Sequence, residues 1–320
     1  VMDYKNGEWQ QPEIMPFGPI QMHPAMSAVH YGQSIFEGMK ANKTEKGDIL
    51  IFRPDMNANR FKESCERMCM PVIPEDVFTE LVRKLVEVDE NWIPAKEGYS
   101  LYIRPFLFAT DEFIGIKPSE TYKFMIFTCP VGSYYTEPVN VKIEEHYTRA
   151  SVGGVGRAKT AGNYGAALYP AKLGQMNGFH QLVWTDGKEH KFIEESGTMN
   201  IVFVINDTII TPSEDADTIL RGVTKRSVLE VAQKWGIPVE ERKVSVVEVV
   251  EALKNGTLQD GFGTGTAAVI AHFAVINHDG VDYELPAIET REFSNKVKAA
   301  LTDIRLGTGE DKHKWVYKLS

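Results

Sequence analysis

The chain has 320 residues, a mass of 36.0 kDa and a formal charge of −9. At roughly 100–200 residues per domain, that length suggests about two domains. Thirty-five basic residues against 44 acidic ones argue against a nucleic-acid or anionic-membrane surface, and no apolar run approaches the roughly 18 residues of a membrane span. In chain order, Gly47-Asp48 leads into a strand over Ile49–Arg53. Met56–Met70 reads as a helix stopped by Pro71, and Pro74–Trp92 as a second, with Val77, Phe78, Leu81, Val82, Leu85 and Val88 at helical spacing. Ser100–Phe108 and Tyr122–Val131 read as strands.

The run Pro130–Pro138 has two prolines, a glycine and no period, which marks an interdomain linker. The expected division is a smaller domain over 1–133, a linker over 134–138 and a larger domain over 139–320. The larger part opens with a strand over Val139–Glu144 and a short helix over Gly165–Gly174. Leu182–Ser196 reads as a hairpin turning at Asp186-Gly187. Asn200–Ile205 and Thr208–Thr211 flank a turn at Asn206-Asp207. Helices follow at Thr224–Trp235, Val246–Asn255 and Glu289–Ile304. Ser245 and Glu248 open the middle one in a capping-box pattern. Strands and helices mix without strict βαβ alternation, which argues for α+β rather than a doubly wound sheet or a TIM barrel.

Three cysteines without a CxxC or CxxxH pattern give no disulfide framework and no expected metal site. A reducing, cytoplasmic setting fits them. Cys65 and Cys69 are expected on one helix face, and Cys129 in a strand.

Three glycine-rich segments could carry chemistry. In Gly153–Gly165, Lys159 lies among small residues with Tyr164 nearby. It is either a solvated loop lysine or an amine held in a crowded site, where a lowered pKa would let it attack a carbonyl. Leu220-Arg-Gly-Val-Thr224 opens a helix, either an ordinary capped one or an anion site built from free amides. Gly263, Gly265 and Ala268 fit G-x-G-x-x-A, a loose dinucleotide fingerprint without a clear βαβ unit around it. That match leaves a nicotinamide-dependent oxidoreductase open. A turn whose amides hold a phosphate or carboxylate fits the segment as well. Strand alternation in Ser100–Pro105 puts Tyr102 and Arg104 on one face, where the arginine could meet a carboxylate. Alternation should send Glu194 and Glu195 to opposite faces, one into a site and the other to solvent.

Read together and in order, these segments resemble the branched-chain amino acid aminotransferases of the fold-type IV group of pyridoxal 5′-phosphate enzymes. The resemblance runs through Tyr31-Gly-Gln-Ser-Ile-Phe36-Glu-Gly38-Met-Lys40, Asn59-Arg60, Leu101–Pro105, Gly153–Gly165, Glu195–Asn200, Gly222-Val-Thr and Phe262–Ala267. It implies a smaller N-terminal α/β sandwich domain and a larger C-terminal mixed α/β pseudo-barrel domain. It implies that Lys159 is the catalytic Schiff-base lysine, that Glu195 faces the pyridine nitrogen and that Tyr164 bonds the phenolic oxygen. Arg60, Thr266, Val223 and Thr224 would hold the phosphate, with Thr198 under the ring. Phe36, Gly38, Tyr102 and Tyr134 would form the side-chain pocket, Arg104 its rim, and Thr266-Ala267 the substrate carboxylate site. The implied reaction is reversible amino transfer between Leu, Ile or Val and 2-oxoglutarate. A homodimer is implied, with Tyr31, Ile114 and Ile116 reaching toward the neighbouring site. Positions where some eukaryotic members carry a Cys-x-x-Cys pair hold Ala268 and Ala271 here. D-amino acid aminotransferase and aminodeoxychorismate lyase share the cofactor machinery and are the nearest alternatives.

Overall fold

The computed structural model describes residues 1–96, 98–132 and 137–319. The chain divides into two compact units. Val1–Gly132, Ala158–Tyr164 and Arg305–Ser320 form the first, and Ser133–Arg157 with Gly165–Ile304 the second.

In the first unit the strands are β1 (Met2–Lys5), β2 (Glu8–Trp9), β3 (Ser34–Phe36), β4 (Met39–Lys43), β5 (Ile49–Phe52), β6 (Ser100–Ala109) and β7 (Tyr122–Val131), joined by the C-terminal strand Val316–Leu319. The sheet order is C-terminal strand, β5, β4, β6, β7, β1, β2, with β3 also on β6. Helix α1 (Ser27–Tyr31) is one short turn. Helices α2 (Pro54–Arg67) and α3 (Glu75–Val88) pack on the sheet through Phe61, Phe78 and Phe124, whose ring centroids lie 5.1–6.0 Å apart. Alternation on β6 holds. Leu101 and Ile103 are fully buried in this core, while Tyr102 and Arg104 point to the other face, half-buried.

Helix α2 ends at Arg67, not at Met70. Cys69 takes a left-handed conformation (φ 54°), and the Met70 amide returns to the Cys65 carbonyl at 2.9 Å. This is a Schellman closure, fixed before Pro71 is reached. Cys69 is therefore past the helix and shares no helix face with Cys65.

The segments 158–164 and 305–320, assigned by sequence to the C-terminal part, belong to the first unit. Long-range pairing decides this. Val316–Leu319 pairs antiparallel with β5, Thr160 bridges to Ile35, and the Phe36 amide donates to the Lys159 carbonyl at 3.0 Å.

The second unit contains β8 (Val139–Glu144), β9 (Gln181–Thr185), β10 (Phe192–Ser196), β11 (Met199–Ile205), β12 (Thr208–Pro212), β13 (Val239–Arg242), β14 (Val244–Ser245), β15 (Leu258–Thr264), β16 (Ile270–His278) and β17 (Val281–Glu284). Strands β11, β15, β16, β8, β9 and β10 pair in that order, and β10 returns to β11, closing a barrel. Every residue of β11 is buried, as a strand covered on both faces requires. Helix α4 runs over Ala161–Met176, longer at both ends than the sequence suggests and passing through Pro170. Helix α5 is Val223–Lys234, α6 is Val246–Lys254 and α7 is Glu292–Leu306. Ser245 caps α6 by accepting from the Glu248 amide at 3.1 Å. The Glu248 carboxylate goes to Arg242 at 2.6 and 2.9 Å instead of completing the capping box.

Candidate active site

The first unit holds the amine. Lys159 sits on a short extended segment whose backbone is pinned on several sides. Its amide donates to Ser64 Oγ at 3.0 Å, its carbonyl accepts from Phe36, and Thr160 Oγ1 donates to the Ser34 carbonyl at 2.7 Å. Asn163 Nδ2 closes the turn onto the Ala158 carbonyl at 2.9 Å. Tyr164 lies in the first turn of α4, five residues on, which brings its hydroxyl to 2.9 Å from Lys159 Nζ. Lys159 Nζ also lies 4.9 Å from the centre of the Phe36 ring, and the Phe36 and Tyr164 rings are 4.9 Å apart. Across the strands, the Arg104 guanidinium sits 4.6 Å from the Phe36 ring centre and donates to Tyr102 Oη at 2.8 Å. A β-carbon at Gly38 would collide with the Tyr102 hydroxyl, so any larger residue there must displace that hydroxyl. The fold thus brings Phe36, Gly38, Tyr102, Arg104, Lys159 and Tyr164 into one neighbourhood. Tyr134 lies outside the described residues.

Arg60 shows what the sequence did not. It is buried, with Nε and Nη2 on the two oxygens of Glu37 at 2.7 and 2.8 Å. Asn57 Nδ2 adds 2.7 Å and the Gly38 amide 3.2 Å. Glu37 is fully buried, and burial raises its pKa. The Arg60 charge and fork, then Lys159 and Asn57, outweigh that and hold the carboxyl below the usual range. The only trace of this pair in the sequence is a carboxylate wedged between Phe36 and Gly38.

The second unit holds a buried carboxylate and a helix start. Glu195 Oε1 accepts from the Leu220 amide at 2.5 Å and from Asn200 Nδ2 at 3.5 Å. Its Oε2 lies 3.4 Å from Arg149 Nε, a partner that sequence reasoning missed. Glu194 is not solvated as expected. Both glutamates are buried, because the β9–β10 register shifts between Ile193 and Glu195 and breaks simple alternation. Thr198 is exposed, in the two-residue turn between β10 and β11. Gly222 caps α5 without a side-chain bond, and a β-carbon there would strike Asn200 Oδ1. Val223 and Thr224, in the first turn, are buried. Thr266 is half-buried and Ala267 exposed, in the bend between β15 and β16. The Gly265 amide closes that bend onto the Ala268 carbonyl at 3.1 Å. Because β15 and β16 form an antiparallel hairpin, the G-x-G-x-x-A segment lacks the strand-to-helix turn of a dinucleotide site.

The sequence profile of a family described as "Amino-transferase class IV" matches residues 34–262. "Branched-chain-amino-acid transaminase 1" of Bacillus subtilis is 44% identical over the whole chain and 91% of its own length. The chain belongs to the amino-transferase class IV family, among its branched-chain-amino-acid aminotransferases. Solved structures of such aminotransferases share the fold. One is from Thermoproteus uzoniensis, crystallised with norvaline (TM-score 0.81, 21% identity, covering 100% of this chain and 99% of that one). Another is from Thermobaculum terrenum, in its PLP-form (TM-score 0.77, 20% identity, 100% and 98% covered). The aminotransferase family thus spans both units, the amine in one and the buried carboxylate in the other.

Proposed function

We propose that this aminotransferase uses pyridoxal 5′-phosphate and moves amino groups reversibly between L-leucine, L-isoleucine or L-valine and 2-oxoglutarate, with Lys159 as the residue that bonds the cofactor. The observation that carries this reading is the Lys159 amine, 2.9 Å from the Tyr164 hydroxyl on a backbone pinned by four hydrogen bonds.

The side chains fit the cofactor. They offer an amine, a phenol, a buried carboxylate and a helix start capped by glycine. Buried Thr264 Oγ1 and Ser196 Oγ have no hydrogen-bond partner among the described residues, which suits a polar ligand. When bound, pyridoxal phosphate supplies an electron sink for the substrate α-carbon. Lys159 moves the proton at that α-carbon. Glu195, whose Oε2 faces Arg149 Nε at 3.4 Å, would hold a proton on the ring nitrogen, and Tyr164 would donate to the phenolic oxygen. The amides of Val223 and Thr224 and the Thr266 hydroxyl bind the phosphate at the positive end of α5. Arg60 adds charge, although Glu37 already balances much of it; Thr198 borders the ring.

Phe36, Tyr102 and Gly38 supply the apolar wall, with Tyr134 assigned to it by resemblance. The amides at Thr266-Ala267 take the substrate carboxylate, and Arg104 takes the second carboxylate of 2-oxoglutarate. Tyr31, Ile114 and Ile116 are exposed apolar side chains, which supports a homodimer in which they reach a neighbouring site. The free cysteines support a cytoplasmic setting, and no helix among the described residues is long and apolar enough to cross a membrane.

The purified protein should be yellow, with absorbance that shifts on adding L-leucine. Lys159→Ala should lose both the lysine-bound absorbance and turnover, and full activity in that variant would sink the assignment. Glu195→Gln should lower turnover far more than cofactor retention. L-Leucine, D-alanine and aminodeoxychorismate assayed side by side separate this reading from its nearest alternatives.

A further inference from the structure

The Glu195 carboxylate does not stand alone. Glu194 precedes it on β10, and the register shift buries both side chains. Their surroundings differ sharply. Glu195 has two N–H donors on Oε1 and the Arg149 guanidinium near Oε2. Glu194 Oε1 takes the Thr218 hydroxyl at 2.5 Å, while its buried Oε2 has no hydrogen-bond partner among the described residues. An ionised carboxylate left in that state would be poorly solvated.

The charges facing Glu194 are Arg149, Glu195 and Asp186. Asp186 accepts backbone amides from Glu189, Lys191 and Phe192 at 3.0, 2.8 and 2.7 Å, a set that favours its ionised form. The Arg149 guanidinium is thus the one cation among the charges acting on Glu194, and its Nε faces Glu195 Oε2 at 3.4 Å. Arg149 Nη2 is also directed to the Thr218 and Gly156 carbonyls.

We propose that Glu194 is a neutral carboxylic acid at neutral pH, a positioning residue that leaves Glu195 as the single ionised member of the pair. Burial is the main influence, raising the Glu194 pKa. The Thr218 bond and Arg149 oppose it, Glu195 and Asp186 add to it, and the net direction is upward. The consequence for the cofactor rests on the reading that Glu195 faces the ring nitrogen. Arg149 then answers one negative charge, and Glu195 remains the ion that keeps that nitrogen protonated. The protonation of Glu194 itself does not depend on that reading.

Infrared spectroscopy of the cofactor-loaded protein tests the proposal. At pH 7 the wild type should show the C=O stretch of a buried protonated carboxyl, shifted in D2O and absent from Glu194→Gln. Raising the pH should titrate this band away. Glu195→Gln removes the adjacent charge and should move the band's midpoint to lower pH, since coupled groups titrate as a pair. No such band in the wild type at pH 7, a band that survives in Glu194→Gln, or a midpoint unmoved by Glu195→Gln would each overturn the proposal. If Glu194→Gln does not fold, the wild type and Glu195→Gln still decide. The readout needs no turnover, so its failure leaves the aminotransferase reading standing, which Lys159→Ala tests separately.

Discussion

Replacing Glu37 by leucine would leave the Arg60 guanidinium buried without its carboxylate. The pair is bidentate at 2.7 and 2.8 Å, with Glu37 fully buried and Arg60 nearly so. Breaking such a pair from one side costs about 3–5 kcal/mol. Asn57 and the Gly38 amide also lose their acceptor, which places Glu37→Leu toward the upper end. At about 4 kcal/mol the folded-to-unfolded ratio drops by about three powers of ten. With a urea slope of about 3 kcal/mol/M, the midpoint falls by about 1.3 M. Replacing both partners, Glu37→Leu with Arg60→Met, should recover most of the loss, because a buried ion pair is often nearly neutral against an apolar pair. Acid gives a second readout. In the wild type the Glu37 pKa lies below its unfolded value of about 4.3, so its contribution is present above that value and lost as pH falls through the folded pKa. In Arg60→Met, burial without the cation raises the folded pKa. The sign then reverses, and this variant should gain stability as pH drops from 7 toward about 4.3. Urea unfolding followed by circular dichroism, on cofactor-free protein so that ligand linkage does not enter, measures all four species. Single variants costing under about 1 kcal/mol, or a double variant as unstable as the singles combined, would refute the pairing argument.

Three further outcomes can be checked. Gly38→Ala places a methyl group against the Tyr102 hydroxyl and displaces it from Arg104. The kcat/KM for L-leucine should fall about tenfold, about 1.4 kcal/mol, and an unchanged value would mean the strands give way freely. Ser245→Ala removes the α6 cap and should cost about 1 kcal/mol in urea unfolding; no change would show that the cap bond is not formed in solution. His272 is pushed down to about 4, first by burial and then by Lys298 and Arg291. The unfolded chain therefore takes the proton first, and stability is full above about 6.5 and lost as pH falls toward 4. The urea midpoint between pH 7 and 4.5 should drop more for wild type than for His272→Gln. Parallel drops would exclude His272 as the source.

Sequence alone determined whatever depends on neighbours along the chain. Strands Tyr122–Val131 and Val139–Glu144 have the predicted bounds, because apolar alternation and flanking turn residues are local signals. The shared face of Tyr102 and Arg104 followed from a period of two, whereas the meeting of Lys159 with Tyr164 rests on a helix that starts at Ala161, four residues before the start read from the sequence. Tertiary structure decided what spans the chain. Glu37 meets Arg60 from 23 residues away, Arg149 finds Glu195 across an even longer separation, and Val316–Leu319 returns to pair with β5. None of these leaves a period, because a buried charge chooses its partner by distance in space. The burial of Glu194 belongs to the same class. A register shift arises from two strands together, so the strand that carries the glutamates cannot announce it by its own pattern.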